Sequence, residues 1–289
     1  MWIVVLILVL WVSIPALTYV FYWYEVSTPS CFHEGARSEK EVLERLFDRK
    51  LKRSVFLSLL SSIVALPIVT ITYPLGMISK WWSMKTTPSK GTIIFIHGLF
   101  HNPSAALLLK RAFAKRGFSF ISLSHCCWEK SLFDVFNRMD RELEETLGED
   151  LRSEPIIFIG HSLGGLLAGL LGCSLSEKGY NVKGVVTLGT PFYGSRLAPL
   201  IAGLSFGRLA RSVMFGSEEL AEARKRLDSP NFKAVQFWSP TDNMVLPPAS
   251  LYQTPKGWDR VALSPLCHTF VLFWPGVVNR VVRTVEGWI

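Results

Sequence analysis

Gly160-His161-Ser162-Leu163-Gly164-Gly165 follows the apolar run Ile156-Ile157-Phe158-Ile159 and precedes a stretch rich in Leu, Ala and Gly. This is G-x-S-x-G between a strand and a helix, the setting in which the pattern has a mechanism. The turn must be sharp, so Ser162 sits at a strained corner with its Oγ pointing out of the sheet. Side chains at Gly160 and Gly164 would collide with neighbouring backbone. The free N–H groups that open the helix face the same space and favour a developing negative charge.

Around this motif the chain alternates. Thr92–Ile96 reads as a buried strand, Pro103–Arg116 as a helix, Phe118–Ser122 as a strand and Phe133–Leu147 as an amphipathic helix. Pro155–Ile159 is the strand before the serine, Leu163–Ser176 its helix, and Val182–Leu188, Lys233–Trp238 and Arg260–Leu263 are further strands. A helix closes the chain from Val277, and Ser83–Lys90 reads as a short linker. Such alternation predicts an α/β fold with a mostly parallel sheet covered on both faces. Residues 195–230 interrupt it: they hold no clear strand but many apolar residues, among them Leu197, Ile201, Phe206 and Val213. This is read as a small helical lid, with a core-facing crossover helix as the alternative.

The 289 residues suffice for one good-sized domain with appendages. Mean hydropathy is +0.29, and the apolar excess lies at the N-terminus. Residues 1–24 carry no charged side chain, nor do the 26 between Arg53 and Lys80. Each run is long enough to cross a hydrocarbon core of about 30 Å as a helix, and neither a basic n-region nor a small-residue cleavage site marks the first as a signal peptide. Tyr22, Trp23, Tyr24, Trp81 and Trp82 flank the runs as interfacial aromatics. The expected organisation is a membrane anchor over residues 1–85, with transmembrane helices at about 2–24 and 55–79, Pro67 and Pro74 leaving the second kinked or re-entrant. The catalytic domain follows over 86–289.

In the connector, Ser38 and Glu41 form a capping box, and Val42, Leu43, Leu46, Phe47 and Leu51 recur at helical spacing. Seven Lys or Arg lie within residues 25–53, whereas Lys80, Lys85 and Lys90 follow the second run. The positive-inside rule then puts the connector in the cytoplasm and the catalytic domain on the opposite side. Net charge is +8, but without a basic stripe interleaved with aromatics it points to anionic headgroups and not to nucleic acid. The five cysteines, Cys31, Cys126, Cys127, Cys173 and Cys267, lack metal-ligand spacing; adjacent Cys126 and Cys127 are expected to be free, and a disulfide elsewhere is left open.

A serine nucleophile needs a base, and the base an acid to orient it. With this elbow the partners come in the order Ser, Asp/Glu, His. Of six histidines, His268 alone follows the elbow helix. Asp228, Asp242 and Asp259 lie between Ser162 and His268; Asp242, just beyond the strand Val235-Gln236-Phe237-Trp238, sits where catalytic loops gather. Asp228 stands among Arg224, Lys225 and Arg226, and Asp259 at a strand start. Oxyanion donors are expected from the N–H groups of Leu163 and of Leu99, which Gly98 lets turn inward. His97 is expected to orient that loop and His161 to be structural or to line the pocket. His97 and His101 flank a Gly- and Pro-containing loop, so no metal site follows.

His97-Gly98-Leu99-Phe100, the elbow, and Thr187-Leu188-Gly189-Thr190-Pro191-Phe192-Tyr193-Gly194-Ser195 together resemble the α/β-hydrolase superfamily. The last segment is similar to the G-T-P-H-x-G-S stretch of bacterial true lipases and related esterases, with Phe192 in place of His; Ser239-Pro240-Thr241-Asp242-Asn243-Met244-Val245 is similar to the surroundings of the family's catalytic acid. The resemblance covers about residues 90–289. It implies a lipase- or esterase-like serine hydrolase with no cofactor, working through an acyl-enzyme on Ser162, Asp242 and His268. The calcium of some bacterial lipases has no ligand set that can be matched here residue by residue. Tethering and lid favour a lipid ester as substrate, at a membrane of bacterial inner-membrane type. Thioester hydrolysis, acyl transfer to another alcohol and an inactive membrane-bound interaction module stay open, and protein partners are unknown.

Overall fold

The computed structural model describes residues 2–28, 38–46, 50–78, 81–87, 89–147, 152–204 and 207–289. Of the residues named above, Cys31, Phe47, Lys80 and Phe206 lie outside them. In chain order the helices are α1 (Trp2–Ser27), α2 (Glu39–Leu46), α3 (Leu51–Thr72), α4 (Leu107–Ala114), α5 (Leu132–Leu147), α6 (Leu163–Glu177), α7 (Ala198–Ala202), α8 (Glu218–Leu227), α9 (Ala249–Tyr252) and α10 (Pro275–Glu286). The strands are β1 (Ser83–Met84), β2 (Thr92–Ile96), β3 (Ser119–Leu123), β4 (Ile156–His161), β5 (Val182–Leu188), β6 (Lys233–Trp238) and β7 (Asp259–Ala262).

They form one seven-stranded sheet in the order β1-β3-β2-β4-β5-β6-β7. β1 pairs antiparallel with β3 and every other neighbour is parallel. A parallel sheet is buried on both faces, which is why its strands read as unbroken apolar runs. The pleat sorts them: Ile94, Ile96, Ile156 and Phe158 pack beneath α5, α6 and α8, while Ile93, Phe95, Ile157 and Ile159 pack beneath α4 and α10. Because Ile96 is level with Gly160 and Leu188 with Phe237, the loops after β2, β4, β5 and β6 emerge together at the carboxyl edge.

Several boundaries differ from expectation. The helix read over Pro103–Arg116 is a 3-10 turn at Pro103–Ala106 followed by α4. The linker at Ser83–Lys90 contains the edge strand β1, too short to show any periodicity. The lid-like stretch divides in two. Ala198–Ala202 forms α7 and Arg208–Val213 a 3-10 helix, whereas α8 turns Leu220, Ala223 and Leu227 into the core as a crossover helix.

The N-terminal segments pack on the sheet domain. Glu41 N–H donates to Ser38 Oγ at 3.4 Å as the capping box requires. Tyr19, Tyr22 and Val26 of α1 and Leu51 and Ala65 of α3 share a buried cluster with Trp238, Val245, Leu246 and Cys267. Among the described residues one helical stretch, Leu51–Met77, is long and apolar enough to cross a membrane. The expected pair of transmembrane helices is therefore not shown. The first run does form a helix, but its C-terminal half carries phenols and Glu25, which contact the sheet domain: Glu25 pairs with Arg196 at 2.9 Å, and Tyr22 is completely buried. α3 also inverts the usual surface-helix pattern. It buries Ser54, Ser58, Ser61 and Ala65 and exposes Phe56, Leu57, Leu60, Val64 and Ile71.

Candidate active site

β4 runs directly into α6 through Ser162, which holds φ 54°. A non-glycine residue with positive φ is strained, and the neighbourhood holds it there by having no room for side chains. A Cβ on Gly160 would lie 2.3 Å from the Gly164 carbonyl oxygen, and one on Gly164 would lie 2.3 Å from that of His97. The Ser162 carbonyl accepts from Thr190 Oγ1 at 3.0 Å, which ties the elbow to the loop after β5.

The loop after β6 supplies Asp242, only 1% exposed. Its Oδ1 accepts the Met244 and Val245 N–H groups at 2.9 and 3.0 Å, and Oδ2 lies 2.6 Å from His268 Nδ1. With both carboxylate oxygens fixed, the imidazole has one orientation, in which Nδ1–H donates to Asp242 and Nε2 is left for chemistry. Asn243 Oδ1 accepts the His268 N–H at 3.2 Å, and Ser239 Oγ bonds both the N–H and the carbonyl of Leu266. Acid and base loops are thus stitched to each other. Asp228 instead accepts Lys256 N–H at 2.9 Å, and Asp259 opens β7 at the far edge.

Ser162, His268, Leu99 and Leu163 line one cavity of about 220 Å³. No hydrogen bond joins Ser162 to His268 among the described residues; bonds of this kind commonly tighten when substrate binds. Leu163 is the first residue of α6, so its N–H has no acceptor within the helix. Leu197, Ile201 and Val213 of the 195–230 segment form an apolar wall of the cavity.

Histidines surround the serine. His97 donates from Nδ1 to the Gly98 carbonyl at 2.9 Å, while its Nε2 contacts Ser124 Oγ at 3.0 Å and accepts His125 N–H. It anchors the loop that bears Leu99. His161 bonds the His268 carbonyl through Nε2 at 3.0 Å and stacks against His101. Burial lowers the pKa of His97 and of His161. Burial and the adjacent His268 hold His101 at about 4. These walls are therefore uncharged at neutral pH.

The N-terminal helices reach the same loops, a connection that sequence reasoning missed. Tyr22 donates to the Pro240 carbonyl at 2.8 Å and Tyr19 to that of Thr241 at 3.1 Å. Ser58 Oγ bonds Thr241 Oγ1, Ser61 Oγ accepts Cys267 N–H at 2.9 Å, and Asn243 Nδ2 donates to Thr18 Oγ1 at 2.7 Å. The available signal was the recurrence of Ser54, Ser58, Ser61 and Ala65 every three or four positions within an otherwise apolar run.

A family model described as the alpha/beta hydrolase family matches residues 93–285. No curated protein matches the chain. Among solved structures, Est1E from Butyrivibrio proteoclasticus is similar with a TM-score of 0.54 and 15% identity, covering 71% of this chain and 92% of its own. The alpha/beta hydrolase MGS-MChE2, from the metagenome of sediments of the Mar Chica lagoon, Morocco, gives 0.50 and 16%, covering 68% and 90%. At these identities the likeness is one of fold.

Proposed function

Because this chain belongs to the alpha/beta hydrolase family, we propose that it is a membrane-associated serine hydrolase that cleaves carboxylic esters of lipids. The observation that carries the reading is the buried 2.6 Å contact of Asp242 with His268, in the cavity where Ser162 stands at a strained elbow. His268 Nε2 takes the Ser162 proton as Oγ attacks the acyl carbonyl. The carbonyl oxygen becomes an oxyanion held by the N–H groups of Leu163 and Leu99, each worth about 3 kcal/mol in the transition state. His268 then protonates the leaving alcohol, the C–O bond breaks, and an acyl-serine remains. Water, deprotonated by His268, repeats the cycle and releases the acid. Asp242 stabilises the imidazolium in both halves.

Support for a lipid substrate comes from the apolar cavity wall and from the outward apolar faces of α1 and α3. With those faces against a bilayer, Glu25 and Glu39 of the basic connector stay bonded to Arg196 and Tyr252 of the catalytic domain, so connector and domain lie on the same side, not on opposite sides as the positive-inside rule would have them. The test is hydrolysis of a p-nitrophenyl ester chain-length series by the detergent-solubilised chain beside Ser162→Ala. Serine-dependent turnover rising toward long chains is expected. Turnover limited to short chains contradicts the lipid assignment, and equal turnover by Ser162→Ala contradicts the nucleophile.

A further inference from the structure

The catalytic cavity, at about 220 Å³, is smaller than the roughly 300–1,000 Å³ of pockets that enclose a drug-sized ligand. A long acyl chain bonded to Ser162 must therefore leave it. A second cavity of about 140 Å³ lies beside it, between the two N-terminal helices. Its walls include Ile14, Pro15 and Thr18 of α1 and Ser62, Ala65 and Leu66 of α3. His101, Met244 and Thr269 line both cavities. Ile14 of the second cavity's wall is half exposed, and Val12 and Leu17 on α1 and Leu60 and Val64 on α3 are exposed on the same two helices.

We propose that the α1–α3 crevice holds the acyl chain of a bilayer lipid and delivers its ester sideways from the hydrocarbon to Ser162. This rests on the lipid-ester reading above and adds to it the path and the occupant. Three features support an acyl chain. The walls are mostly apolar, with uncharged polar points at Thr18, Ser62 and Asn243, and carry no Asp, Glu, Lys or Arg side chain. The outer faces of both helices are apolar where a water-facing helix would be polar. The inner end meets the catalytic cavity at His101, a side chain held neutral, so that no ammonium or carboxylate faces the chain on its way in. The hydroxyl-bearing face of α3 is spent on the loops of Asp242 and His268, which fixes the crevice at a constant position relative to the base.

The test uses the full chain carrying Ser162→Ala in phosphatidylcholine vesicles, with a phosphatidylcholine bearing a photoactivatable diazirine midway along one acyl chain. Crosslinks mapped to Met244 and Thr269 are expected. Ser62→Trp on one wall, or Ile14→Trp on the other should the first not fold, is expected to reduce them at least tenfold. Phe56→Trp, on the outward face, is expected to leave them as they were. Crosslinks confined to outward residues such as Phe56, or capture of Ile14 and Leu66 by a second copy of the chain, would overturn the proposal. Fluorophosphonate labelling of the wild type separates the two readings. A labelled wild type without crosslinks at Met244 and Thr269 overturns the crevice alone. An unlabelled wild type with those crosslinks supports the crevice and overturns the serine hydrolase.

Discussion

Tyr22, in the first helix of the chain, donates a 2.8 Å hydrogen bond to the carbonyl of Pro240, two residues before Asp242. Ser61 of α3 accepts the N–H of Cys267, next to His268, at 2.9 Å. The N-terminal helices thus brace the acid and the base from outside the sheet.

Tyr22→Phe and Ser61→Ala each leave a buried backbone group unpaired, at a cost of about 1–3 kcal/mol. If the bonds set the geometry of Asp242 and His268, kcat on a soluble short-chain ester falls about tenfold in each variant while KM stays within twofold. Assays well below the melting temperature separate this from loss of fold. A lowered melting temperature with unchanged kcat would assign these residues to stability alone.

Asp242→Asn keeps the shape of the loop but replaces an acceptor facing Nδ1–H of His268. An amide nitrogen there drives the imidazole to the other tautomer, which leaves Nε2 protonated and unable to act as base. The expected loss in kcat is about 10⁴-fold, by analogy with the same change in other triads. Steady-state hydrolysis measures it, and a loss under tenfold would remove Asp242 from the mechanism.

Gly160→Ala puts a Cβ at 2.3 Å from a backbone oxygen of the same elbow, which no side-chain rotation relieves. Overpacking of this kind costs about 1–3 kcal/mol or more, and it shifts Ser162 as well. Both melting temperature and fluorophosphonate labelling rate should fall; a fully active, equally stable variant would contradict the packing described.

Acid should weaken the fold through the histidines. His101 titrates at about 4 against an ordinary 6.5, so between those values the unfolded chain binds more protons than the folded one. The stabilisation is complete above pH 6.5 and is lost as pH falls toward 4. Melting temperature followed across that window should decline, and His101→Gln should make the decline shallower. An unchanged slope would show that His101 is not held neutral.

The sheet was legible because burial on both faces writes continuous apolar runs such as Ile156–Ile159, and because one serine between glycines marks where strand becomes helix. Chain order alone selects His268, and position beyond a strand end selects Asp242; the structure places the two in contact. Asn243 was passed over because nothing about an Asn beside an Asp announces a bond to the backbone of residue 268. The placement of α1 and α3 was hidden for a different reason. An apolar helix that leans on a domain and one that crosses a bilayer bury similar residues, so composition describes both. The serines of α3 record the difference, since hydroxyls at helical spacing in an apolar run need partners. β1, two residues long, leaves no periodic trace at all.

The most direct measurement is intact-mass analysis after treatment of the detergent-solubilised chain with a fluorophosphonate, which adds to a serine only when a base has activated it. The account predicts one adduct per wild-type chain, mapped to Ser162, and none on Ser162→Ala or His268→Ala. An unmodified wild type, or equal modification of all three proteins, would contradict it.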